Sequence, residues 1–279
     1  MDTTYTGILS LLQIVNNISN TIYNDLETIN PKKGTCVCFV LKNKDSISQF
    51  ITDIILKSNT NLDIMKEAES MNLPSSILQG LIENNMNIMY TTMLTLNSLI
   101  KNINITTNCC MLSRITCLKL RKLVYYMLMF WYNSFIWNKG YFCSLINYKF
   151  EKMIEILNND VLRNKSEIFV CIASLNQAKA DFEELALTEF VPNETMMNKI
   201  SNNLKSVKQI LQKFGILVSS DKFKMLIDLS IHFNGLCRKW ITSYVFYQNY
   251  GDNIREEYNR IEPFFHRTEV SVTQELCLV

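Results

Sequence analysis

His232 and His266 are the two histidines of the chain, so little acid–base chemistry is available to it near neutral pH. His232 sits in an apolar helical stretch and reads as a packed residue. Nine cysteines are scattered at 36, 38, 109, 110, 117, 143, 171, 237 and 277. Cys36 and Cys38 stand too close for a usual zinc half-site, Cys109 and Cys110 have no partners nearby, and no histidines complete a tetrahedron. The seven glycines are too dispersed for a phosphate-cradling loop. Glu183, Glu184 and Asp221 read as helix surface and cap residues. No nucleophile, base and orienting group come together as covalent catalysis requires. The residues therefore predict a protein that is not an enzyme and has neither a metal nor a cofactor.

What remains is positive charge carried on helices. Lys119, Arg121 and Lys122 form the densest cluster. Lys205 and Lys208 share a helix face, and Arg238 stands beside Lys239. Lys222 with Lys224, and Lys149 with Lys152, make further pairs. Net charge is only +2, so affinity for phosphate must come from such local patches. They suit lipid headgroups or nucleic-acid phosphate bound without sequence readout, and equally they suit solvated helix faces. The candidates for lipid or RNA contact are Lys119, Arg121 and Lys122 first, then Lys205, Lys208, Arg238 and Lys239.

The elements that would position these residues are helical. Gly (7) and Pro (4) are too scarce for an all-β fold rich in tight turns, and 48% apolar content is globular. Apolar residues recur at steps of three and four from Ile8 to Ile29, predicting an amphipathic helix over 5–29. Residues 34–41 are a short apolar run that fits a strand or a buried helix. Asp45 opens a helix through Lys57, and a shorter one covers 62–72 before Pro74. A long helix follows to about Ile100 with Ile77, Leu78, Leu81, Ile82, Ile88, Met89, Met93, Leu96 and Leu99 inward. Residues 102–108 are a polar break. Asn138-Lys139-Gly140 separates the next helix from one ending near Leu157.

The interruption at 158–160 is the expected domain boundary. A helix over 161–187 comes next, with Pro192 after it. Met197, Ile200, Leu204, Val207, Leu211, Phe214 and Val218 then form a heptad seam. Gly215 is the expected stop, and Ser219 or Ser220 the next cap. The helix to about Tyr250 is expected to turn Phe223, Ile227, Ile231, Cys237, Ile241 and Tyr244 inward. A short helix over 252–262 and a loosely held tail close the chain. The expectation is an all-α protein of two helical bundles, 1–158 and 161–262, with a tail over 263–279.

Residues Leu118–Trp137 concentrate the apolar mass. Leu123 to Asn138 carry no charge, which admits a membrane span, a lipid-facing helix or a buried central helix. The uncharged run of 16 residues is shorter than the roughly 20 a bilayer requires. Its apolar residues line nearly every side, which favours burial among other helices. The opening MDTTYTG has no secretory pattern, so reduced thiols and an intracellular setting are expected. The Asn-x-Ser/Thr triplets at Asn17, Asn104, Asn164 and Asn193 then read as chance matches.

Six stretches together resemble the matrix proteins of orthomyxoviruses, the influenza-type family. ILSLLQIVNNI (8–18) is similar to that family's opening helix. KKGTCVCFVLKNKDSISQFITDIIL (32–56) resembles a buried run followed by a Lys-x-Lys-Asp turn and a helix with a Phe-Ile-Thr core. MLMFWYN (127–133) and FCSLINYKFEKM (142–153) resemble two packed helices late in the N-terminal domain. VLRNKSEIFVCIASLNQAKADFEEL (161–185) is similar to the helix opening the C-terminal domain, and NNLKSVKQILQKFGILVSS (202–220) to its final long helix. Order and rough spacing agree over 8–220. The link after the first helix is shorter here by about one helix and its loop. Ser46-Ile47-Ser48-Gln49 replaces the family's basic cluster, the nuclear-localisation run has no aligned counterpart, and Cys143 stands alone where the family has a Cys/His set.

The resemblance implies a two-domain helical protein that polymerises beneath a viral envelope. Its partners would be its own copies, anionic lipid of the inner leaflet, and ribonucleoprotein or RNA. It would be found in the virion and in host cytoplasm and nucleus, bound peripherally to membrane, acting in assembly and budding. An RNA-binding nucleocapsid protein is the alternative, which the near-neutral charge disfavours. A helical antagonist of a host pathway is a third.

Overall fold

The computed structural model describes residues 4–28, 43–101, 111–159, 166–188, 190–213 and 221–276. The fold is all-α. Its elements are α1 (Tyr5–Thr28), α2 (Lys44–Ser70), α3 (Ser75–Lys101), α4 (Met111–Asn158), α5 (Ser166–Leu187), α6 (Glu194–Lys213), α7 (Asp221–Phe246), a π-helical turn (Tyr247–Gly251) and α8 (Asp252–Leu276). No strand occurs among the described residues. The apolar run at 34–41, the break at 102–108 and the expected stop and cap at Gly215, Ser219 and Ser220 lie outside them.

The chain forms two compact units, one of residues 1–137 with 249–279 and the other of 138–248. These units differ from the expected segments 1–158, 161–262 and 263–279. The sequence also predicts a helix break at Asn138-Lys139-Gly140, and α4 runs through those residues without one. A glycine inside a helix costs only about 1 kcal/mol relative to alanine. Asn138 and Lys139 are buried, and the Lys139 ammonium donates to the Thr188 carbonyl and lies 3.9 Å from the centroid of the Trp240 ring. Those contacts hold the helical backbone at 138–140 in place.

In the first unit α1 packs along α2. Ile8, Leu12, Val15, Ile22 and Leu26 are fully buried. The two helices predicted over 45–57 and 62–72 are one. Ser58, in the polar stretch expected to separate them, is fully buried and donates to Asn16 Oδ1 at 3.3 Å, while Asn16 bonds Asn59. Long-range hydrogen bonds satisfy the polar side chains that looked like a loop. α2 ends where Asn72 adopts φ 50°, a left-handed conformation asparagine tolerates better than most residues. There the Met71, Asn72 and Leu73 N–H groups donate to the Glu67, Glu69 and Ala68 carbonyls.

The Leu118–Trp137 stretch is the covered part of α4, with Leu123, Met127, Leu128 and Phe130 fully buried. α1 runs antiparallel to it, since Asp25 meets Lys119 at one end and the Tyr5 ring lies 6.4 Å from that of Trp137 at the other. From α8, Tyr258 stacks on Tyr125 with centroids 3.8 Å apart. No described helix is long and apolar enough to cross a membrane. α8 itself continues through Pro263 to Leu276, where a loosely held tail was expected. Proline removes one backbone donor there, and its ring crowds the carbonyl one turn earlier.

The second unit is built on α4 from Asn138, α5, α6 and α7. Rings of Phe150, Phe182 and Phe233 stand in a column, each 5.9 Å from the next, joining α4, α5 and α7. On α6 the expected seam is buried at Met197, Ile200, Leu204, Val207 and Leu211. Asn193 caps that helix, its Oδ1 accepting from the Met196 N–H at 3.0 Å. On α7 the inward face is Leu226, Leu229, Phe233, Leu236 and Trp240, while Ile231 is 62% exposed. The expected stripe was therefore out of phase, because apolar residues on α7 occupy more than one face. Ile77 on α3 is likewise exposed.

Trp240 is fully buried and donates from Nε1 to the Phe190 carbonyl at 2.7 Å. Trp240→Phe leaves that carbonyl without its donor. The expected destabilisation is about 1–3 kcal/mol, read as a lower urea midpoint with unchanged slope.

Candidate basic sites

Each sequence-predicted cation can be placed. Lys119 is half-buried on α4, with Nζ 2.7 Å from Asp25 Oδ2. Lys122 is half-buried too and has interactions of its own. Arg121 lies between them in sequence, and its Nε is buried with no hydrogen-bond partner among the described residues. This collar is in part a structural joint between α4 and α1.

The remaining candidates belong to the second unit. Lys205 is exposed, and Lys208 sits with Nζ 5.8 Å from the Phe223 ring at the start of α7. Arg238 and Lys239 are exposed near the other end of α7, where Lys239 Nζ is 5.1 Å from the Phe142 ring. Phe223 and Arg238 are separated along α7 by about 22 Å at 1.5 Å per residue. The structure does not gather these four into one patch.

It brings three other lysines to one cavity instead. A cavity of about 390 Å³ is lined by Tyr148, Lys149 and Lys152 of α4 and Lys224, Met225 and Asp228 of α7. Lys149 is paired with Asp228, and Lys152 Nζ is 2.7 Å from Glu155 Oε2. The hydrogen bond from Lys149 holds the Asp228 carboxyl below the usual aspartate range, with smaller help from Lys149 and His232 charge. Lys152 is raised by its hydrogen bond to Glu155. Tyr148 is 56% exposed, and Lys152 Nζ is 6.0 Å from its ring. The Lys149–Lys152 spacing was visible in the sequence, but Lys224 lies on another helix, far along the chain.

His232 Nδ1 lies 2.7 Å from the Asp228 carbonyl oxygen, the local contact of a helix residue. Burial pushes the Cys143 and Cys171 thiols up to about 11 and Cys237 up to about 12. Such thiols are un-ionised at neutral pH and poor nucleophiles. Among the described residues no group of three His, Cys, Asp or Glu could hold a metal ion.

No protein-family model, curated protein or solved structure matches the chain.

Two outcomes check the ion pairs. Lys119→Glu sets a carboxylate against Asp25 and lowers stability, and Asp25→Lys on that background restores part of it. A double-mutant cycle should give a coupling of about 0.2–1 kcal/mol that shrinks in salt. The Asp228 pair contributes stability above the ordinary aspartate range, and that contribution fades as pH falls through the lowered folded value. In an NMR titration Asp228 should ionise below the ordinary aspartate value, and Lys149→Gln should return it toward that value.

Proposed function

We propose that the chain is a viral matrix protein that polymerises beneath an envelope and holds anionic lipid and ribonucleoprotein during assembly and budding. The observation that carries this reading is the run of six stretches over 8–220 that resemble orthomyxovirus matrix proteins in the same order. Their described parts fall on α1, α2, α4, α5 and α6. One difference goes with it: the stretches 127–133 and 142–153 resemble two packed helices, and here both lie on α4.

Physical considerations support the reading. Lysines near an anionic membrane contribute about 1 kcal/mol each. A few such contacts are weak in one copy and strong in an array, where every copy binds together. Exposed Lys205, Arg238 and Lys239 suit that role better than Lys119, which is already paired with Asp25. The proposal includes no catalysis, and the protein would reside in the virion and in host cytoplasm and nucleus.

Purified protein should form oligomers and co-sediment with phosphatidylserine vesicles, releasing them as salt rises. Glu substitutions at Lys205, Arg238 and Lys239 should abolish vesicle binding while far-UV circular dichroism stays unchanged. A monomer that ignores such vesicles at low salt would end the proposal. Charge reversal at 119–122 that leaves both lipid and RNA binding intact would remove the collar from the interface.

A further inference from the structure

We infer that the cleft between α4 and α7 in the second unit is a nucleotide site, with a phosphate held by Lys149, Lys152 and Lys224 and a base lying on Tyr148. Three lysines from two helices, together with Asp228, line one cavity, and that is a different arrangement from cations spread along a helix face. The cavity volume of about 390 Å³ lies in the range of small-ligand sites, about 300–1,000 Å³. Among the lining residues Tyr148 is more than half exposed, with Lys152 of the same helix 6.0 Å from its ring. Bases stack on exposed aromatic rings while neighbouring cations hold the backbone phosphate. Met225 supplies a second apolar wall.

A bare lipid headgroup would use the lysines and leave the Tyr148 ring without a role, so the aromatic decides for a nucleotide. The same chemistry has two sources, a free nucleotide or a nucleotide within single-stranded RNA. Asp228 is the group that sets affinity. Its carboxylate is paired with Lys149 and must yield that lysine to a phosphate. It acts as an internal competitor, and removing its charge should tighten binding. Glu155 has the same relation to Lys152.

The inference goes beyond the matrix reading and can stand without it. The full-length protein is titrated with adenosine monophosphate and with a short fluorescein-labelled oligouridylate at low salt. Both should bind. Tyr148→Ala should weaken the oligouridylate at least about 5-fold, the lower end of what one stacked base contributes, while Tyr148→Phe keeps affinity. Lys152→Gln and Lys224→Gln should each lower the salt dependence by about one. Asp228→Asn should bind more tightly than the parent protein, which a purely structural Asp228 would not do. Competition between the two probes supports a strand source if the oligouridylate dominates and a free-nucleotide source if the monophosphate does. No binding of either probe, or equal binding by Tyr148→Ala, overturns the inference. So does loss of phosphatidylserine vesicles by the lysine variants with nucleotide binding intact, the sign of a lipid-headgroup site. A monomer that ignores vesicles but binds nucleotide in the cleft ends the matrix reading and keeps this one.

Discussion

The first unit depends on covering α4. Its residues from Leu123 to Asn138 carry no charge, and fully burying one large apolar side chain is worth about 1.5–3 kcal/mol. A helix apolar on nearly every side is stable only with neighbours on nearly every side. α1 supplies one wall along its length, fixed by Asp25 at one end and Tyr5 at the other. Tyr258 of α8 supplies another by stacking on Tyr125. Burial, with the nearby Tyr126 and Glu262, pushes the Tyr258 phenol up, so it stays neutral in this setting. In the second unit the same helix continues with mixed polarity. There it offers Phe150 to the aromatic column and Lys149 and Lys152 to the cleft.

Much of this was legible in the amino-acid order, for identifiable reasons. On α6 apolar residues stand three and four apart with polar residues between them, so only one face can be buried, and that face is the one found buried. α1 is legible on the same ground. α7 is not, because Phe223, Ile227 and Ile231 make as good a stripe as Leu226, Leu229 and Phe233. The choice between them is made by partners on other helices, through Phe182 against Phe233 and the Phe190 carbonyl against Trp240. Ser58 and Asn59 look like a loop until Asn16, on another helix, takes up their hydrogen bonds. Asn138-Lys139-Gly140 looks like a break until the Lys139 ammonium finds Thr188 and Trp240.

The cationic residues show the same limit. A cluster contiguous in sequence draws notice, yet Lys119 of the densest cluster is paired with Asp25 and serves to join two helices. Lysines of modest local density, Lys149, Lys152 and Lys224, line one cavity because α4 and α7 bring them together. Local charge density in a sequence measures which cations are near each other along the chain. Function depends on which remain open after folding, and on the carboxylates that compete for them. In the proposed matrix role, exposed cations such as Lys205 and Arg238 would meet a surface, while the α4–α7 cleft would hold a single nucleotide.

The most direct test of the central claim is to image the full-length protein with phosphatidylserine vesicles and single-stranded RNA by electron cryomicroscopy. The account predicts a continuous protein layer applied to the membrane, with RNA held on the side away from the lipid. Protein that coats the RNA and leaves the vesicles bare would contradict it and favour a nucleocapsid role.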